Sequence, residues 1–165
     1  MKEIVNKEIG NISNKIENYG THSKLAYSYL NGITKPELYE AIKEKGFAVC
    51  EYTGKEIKLG DNFQYDHIIS VKEATTFKNA EKLPPEVFAK VISDKNNVAV
   101  IDGSLNQSKQ DDTFKEWMNR KSSGRDLTNA EYFKVDKDKV LAKEQNAKEF
   151  IQNSINKYVK ENGLD

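Results

Sequence analysis

The sequence predicts an α+β fold in which helices at both ends enclose a small β–β–α centre. Three observations carry this expectation. Up to Gly46 the apolar residues recur at helical spacing. From Phe47 to Ile101 short runs rich in Val, Ile, Phe and Tyr alternate with turn residues, the pattern of short strands. From about residue 136 an apolar stripe at helical period continues almost to the end of the chain.

The elements follow in order. Ile4, Ile9, Ile12 and Ile16 share one side of an amphipathic helix expected over residues 2–18. Leu25, Tyr29 and Leu30 suggest a second helix that stops before Gly32. The stretch TKPELYEAIKEKG reads as a third. Thr34 and Glu37 match a capping box, Pro36 sits in the first turn, and Gly46 ends it. FAVCEYTGKEI places β-type residues on either side of a Thr53–Gly54 turn. NFQYDHIIS is the next strand. Pro84–Pro85 opens a short helix through EVFAKVI, and NNVAVI is a further strand. Asp102 or Ser104 is a natural N-cap for the segment after it, and Thr113 with Glu116 caps another helix. A loop near Ser122–Gly124 leads to the last helix, roughly 136–161. Its buried stripe is Val140, Ala147, Phe150, Ile151, Ile155, Tyr158 and Val159.

At 165 residues the chain reads as a single domain, 1–165. It divides into a helical N-terminal part (1–46), a ββα core (47–120) and a C-terminal helical part (121–165). With 37% hydrophobic and 32% charged residues it is polar but globular. No apolar run approaches the roughly 18 residues of a membrane span. The N-terminus lacks the continuous apolar stretch of a signal peptide, so a cytoplasmic location and no membrane partner are expected. The one cysteine, Cys50, allows neither an intramolecular disulfide nor a four-cysteine zinc cage, so no structural zinc is expected. It reads as a small core residue. The formal net charge of +0 gives no global field toward nucleic acid, so any such binding needs a local patch.

The most informative residues lie in QYDHIIS, where Asp66 and His67 stand side by side in a strand. The second strand begins at Asn97, Asn106 follows nine residues later in the first turn of a helix, and Lys109 lies one turn further on the same face. This set of YDHIIS, Asn97, Asn106 and LNQSK resembles the HNH endonucleases, the ββα-metal nucleases. CEYTGKEI upstream is similar to the segment before the Asp-His strand in the HNH domains of RNA-guided CRISPR nucleases. The similar stretch runs from about Cys50 to Trp117. It departs from many members in lacking paired cysteines and in the length between its two strands.

The residue types suit phosphodiester hydrolysis. A hard divalent ion takes oxygen ligands, and Asp66 and Asn106 offer a carboxylate and an amide oxygen. His67, with an ordinary pKa of about 6.5, can take a proton from water near neutral pH. The resemblance implies Mg²⁺ or Mn²⁺ on Asp66 and Asn106, His67 as base, and Asn97 bracing the His67 segment. It also implies that Lys109 and the N-terminus of its helix hold phosphate, and that the partner is nucleic acid, foremost double-stranded DNA. Neighbouring residues of a regular strand point to opposite faces. Asp66 and His67 therefore share a site only if the strand departs from regularity, as the family's geometry does. As a cleft residue, His67 is expected to add little packing.

Each residue has a structural alternative. His67 can be a strand histidine bonded to its neighbours, Asp66 the counter-charge of a lysine, Asn106 a plain first-turn residue, and Lys109 a solvated lysine. His22 reads as a surface residue or cap in a polar turn, and Phe114 and Trp117 as core. A non-catalytic ββα module that binds DNA or protein is the second functional reading. A toxin-like nuclease held by an immunity or inhibitor protein is the third.

Overall fold

Helix α1 (Gly20–Tyr29) runs without a break through a π-helical turn (Leu30–Thr34) into α2 (Lys35–Lys45). The computed structural model describes residues 16, 18–110 and 112–165, so most of the expected helix over 2–18 lies outside the described residues. The expected stop before Gly32 and the Thr34 cap are both corrected. Gly32 lies inside the π turn, and Thr34 is itself helical (φ −72, ψ −47) with no capping bond. Pro36 explains this. It brings no N–H, and its ring would press on the carbonyl of residue 32 in a regular helix. Widening the preceding turn to i→i+5 bonding, seen in Lys35 N–H on the Leu30 carbonyl, opens the ladder there. Gly46 ends α2 at φ 90, as expected.

Strands β1 (Phe47–Val49) and β2 (Glu56–Lys58) form an antiparallel hairpin around the Thr53–Gly54 turn. Strand β3 (Phe63–His67) follows. Then come α3 (Val71–Ala74), capped by Ser70, a 3₁₀ turn at Ala80–Lys82, and α4 (Pro85–Ile92). A second 3₁₀ turn (Lys95–Asn97) leads into β4 (Val98–Asp102). Strand β4 pairs antiparallel with β3, Phe63 facing Asp102 and His67 facing Val98. Helix α5 (Gly103–Lys109) starts directly at the end of β4, with Asp102 as its N-cap. Helices α6 (Phe114–Asn119), α7 (Asn129–Phe133) and α8 (Lys137–Glu161) complete the chain. The α+β class and the β3–β4–α5 order are those expected. Helix α7 was not anticipated, although Thr128 and Glu131 form a complete capping box.

One hydrophobic core takes in residues of the hairpin, the β3–β4 pair and α8. Val140, Ala147, Ile151, Ile155 and Val159 of α8 are buried, and so are Phe114, Trp117 and Cys50. The two strand pairs join through Glu51, whose N–H donates to the Val100 carbonyl and whose carboxylate accepts from Val100 N–H. His22 is not in a turn. It lies half-buried within α1 with its ring edge-on to Phe88. Among the described residues no helix is long and apolar enough to cross a membrane.

Asn97 is fully buried, and four hydrogen bonds tie it to Ile68, Ile69 and Ile92. Its carbonyl accepts from Ile68 N–H, and its Oδ1 accepts from Ile69 N–H. Its Nδ2 donates to the carbonyls of Ile69 and Ile92. Three of these use the side chain, each worth about 1 kcal/mol when made and more when a buried partner is orphaned. Asn97→Ala is therefore expected to cost about 3 kcal/mol in urea unfolding. Asn97→Asp should cost more, because it points a carboxylate oxygen at two carbonyls. An Asn97→Asp chain as stable as wild type would remove the amide from this role.

Candidate active site

A cleft of about 410 Å³ opens where the end of β3 meets α5. Asp66, His67 and Asn106 line it, together with Tyr27, Tyr65 and Ser70. Three of the five sequence-derived residues thus share one cavity. Asp66 and His67 both reach it although they are neighbours in the strand. His67 is the last residue of β3, where the chain leaves the sheet and Asn97 takes over the bonding of Ile68 and Ile69. Asn97 stands behind the cleft wall, not in it.

His67 is only 3% exposed, which corrects the expectation that it adds little packing. Its Nε2 lies 2.9 Å from Ser93 Oγ, and its ring packs edge-on to Tyr27 at 5.1 Å between centroids. Burial, reinforced by the positive charges of Lys109 and Lys35, lowers its pKa to about 4. The imidazole is neutral at physiological pH, and the same burial and positive charges that keep it so oppose its taking up a proton.

Asp66 pairs with Lys109. Its Oδ2 is 3.1 Å from Lys109 Nζ, at ion-pair distance but without the alignment of a hydrogen bond, and it is enclosed without another partner among the described residues. Burial holds its carboxyl above the ordinary value, and Lys109 opposes that rise. Lys109 is 1% exposed, with its ammonium 4.6 Å from the Phe114 ring centre. This corrects the solvated reading of Lys109, which is also absent from the residues that line the cleft. From its position it neutralises Asp66. The α5 N-terminus is likewise occupied, since Asp102 accepts from Ser104 N–H and lies 3.3 Å from Lys55 Nζ.

Asn106 is fixed from the side by Gln64, to whose Oε1 its Nδ2 donates at 2.6 Å. In that orientation its Oδ1 is left for the cleft. The donor set fits a hard cation. Asp66 Oδ2 is committed to Lys109, which leaves Oδ1 as the carboxylate oxygen available in the cleft that Asn106 also lines. Among the described residues no group of three or more His, Cys, Asp and Glu side chains gathers around a point. An ion here would therefore keep several waters, which suits Mg²⁺ better than zinc.

Sequence reasoning missed Tyr27, Tyr65, Gln64, Ser70 and Ser93. Tyr65 carried a signal, being in the same strand as Asp66. Its hydroxyl is enclosed without a hydrogen-bond partner among the described residues. Tyr27 and Ser93 come from segments far away in sequence, and nothing local marks them. Comparison with protein-family models, curated proteins and solved structures finds no match to this chain.

Two outcomes are expected. Asp66→Asn leaves the buried Lys109 ammonium uncompensated, so it should cost about 3–5 kcal/mol of stability in denaturant melts. Adding Lys109→Met should recover most of that loss, and a double variant no better than the single would show that the pair is not the cause. The second outcome concerns acid. The unfolded chain protonates His67 below about pH 6.5, whereas the folded chain does so only near pH 4. His67 therefore contributes a loss of stability that is absent above pH 6.5 and grows to roughly 3 kcal/mol as pH falls to 4. Asp66, raised in the folded state, acts in the opposite sense. The difference between wild type and His67→Gln across pH 7 to 4 isolates the histidine, and a difference that does not change with pH would contradict the depressed pKa.

Proposed function

We propose that the chain is a metal-dependent endonuclease of the HNH type that hydrolyses phosphodiester bonds in DNA. The observation that supports it is the antiparallel β3–β4 pair running straight into α5. That unit brings Asp66, His67 and Asn106 to one cleft and puts Asn97 behind it. His67 is the base. It takes a proton from the water whose oxygen attacks phosphorus as the ester oxygen leaves. Its neutrality is maintained by burial and by Lys109 and Lys35. Asp66 and Asn106 would hold the ion, Mg²⁺ or Mn²⁺, and Asn97 orients the His67 segment. When bound, the ion supplies positive charge at the phosphate and the leaving oxygen. Lys109 has a supporting role, keeping the buried Asp66 carboxylate paired.

Cleavage of supercoiled plasmid tests this. Nicking is expected with Mg²⁺ or Mn²⁺ and none in excess EDTA. His67→Ala should lose roughly 10²–10⁴-fold, the usual weight of a general base. Asn106→Ala should raise the Mg²⁺ concentration needed. Gln107→Ala should not, because that exposed residue is about 100° further round the helix. Full cleavage in EDTA, or equal effects at 106 and 107, would remove the metal site from this cleft.

A further inference from the structure

We infer that Ser93 is a positioning residue that presents His67 to the cleft with its Nδ1 lone pair bare, and that the N-terminal helices anchor it for that task. The inference rests on the reading of His67 as the base. It extends the site to a part of the chain that the ββα motif does not include.

The argument is a count of protons. A serine hydroxyl has one hydrogen to donate. Ser93 Oγ lies 2.6 Å from the Ala26 carbonyl, and a carbonyl only accepts, so the hydrogen is there. The same Oγ lies 2.9 Å from His67 Nε2. With its hydrogen committed, Oγ can only accept, so Nε2 carries the ring proton. A neutral imidazole has one such proton, and Nδ1 is the nitrogen left to receive another. Ser93 is 0% exposed, so bulk water does not compete for either contact.

The surroundings hold Ser93 in this posture. It follows α4 directly, and its N–H donates to the Ala89 carbonyl. Its own carbonyl accepts from the Thr34 hydroxyl, the group that the π turn carries inward and that capping does not use. The Ala26 carbonyl already accepts from Leu30 N–H at the end of α1 and has a second lone pair for Ser93. Helix α1 and the π turn that follows it therefore grip Ser93 at two points, and Ser93 passes that fixation to the ring. Tyr27, one residue from Ala26, packs on the same imidazole.

The test reads the tautomer directly, without metal or substrate. The chain has two histidines, so long-range ¹H–¹⁵N spectra of histidine-labelled protein at pH 7 give two rings, assigned with His22→Gln. His67 is expected as the Nε2–H tautomer in wild type. Ser93→Ala should shift it toward a mixture and lower kcat for plasmid nicking at least tenfold with KM little changed. Ser93→Cys, a weaker acceptor of similar size, should fall between. A wild-type ring found as Nδ1–H overturns the inference whether or not any variant folds. A Ser93→Ala protein with unchanged tautomer, or with a shifted tautomer and unchanged kcat, also overturns it. Failure of the endonuclease reading looks different, because nicking would then survive His67→Ala while the tautomer still reported on Ser93.

Discussion

The arrangement depends on one buried amide. Asn97 stands where three elements meet: the end of β3, the end of α4 and the start of β4. Its Oδ1 and Nδ2 complete the N–H and carbonyl of Ile69, its Nδ2 also closes the Ile92 carbonyl, and its backbone carbonyl takes Ile68 N–H. Each of those groups would otherwise be a buried polar atom without a partner, because β3 has already left its ladder there. The cleft follows from this one junction. His67 is the residue before Ile68, Ser93 the residue after Ile92, and Asn106 is carried on the helix that continues β4. A backbone that satisfied those groups with regular strand pairing would have no opening at that point.

The second constraint is charge. His67 and Lys109 are withdrawn from water and Asp66 largely so, and their charges act on one another. Lys109 offsets part of the burial that raises Asp66, and it adds to the burial that lowers His67. Withdrawal weakens solvent screening, so a charge placed among these groups interacts strongly. It also makes the folded state sensitive to any change that orphans one member. The Phe114 ring against Lys109 ties this set to the core around Trp117 and Tyr52. The cleft chemistry and the packing of the C-terminal half are thereby one system.

What the sequence revealed, and what it concealed, divides along the same line. The strands, the α5 cap at Asp102 and the stripe of α8 were legible because each depends on residues a few positions apart. Asp66, His67, Asn97 and Asn106 stood out because their residue types match a motif, although a long stretch separates Asp66 from Asn97, and the cleft does bring three of them together. Thr34 was misread because a capping pattern is local, whereas its hydroxyl answers to Ser93, 59 residues away. Lys109 was misread because spacing places it on the helix face of Asn106 but says nothing about depth. Only the approach of Asp66 and Phe114 fixes it as a buried cation. Helix α7 was overlooked although Thr128 and Glu131 announce it, because its five residues offer no period to detect.

The flanking helices match no motif, yet they finish the site. A strand histidine on its own can hold its proton on either nitrogen, and nothing in β3, β4 or α5 decides between them. The decision comes from a hydroxyl whose one hydrogen is spoken for by a carbonyl of α1. The π turn contributes because a regular helix would rotate Thr34 by roughly another third of a turn relative to α1, and it is Thr34 that fixes the Ser93 backbone. Pro36, which helps to bring about that turn, thus connects helix geometry to the orientation of a ring on a strand. In the proposed reading, the ββα unit supplies the groups that meet a substrate, and α1 with its π turn determines which nitrogen faces it.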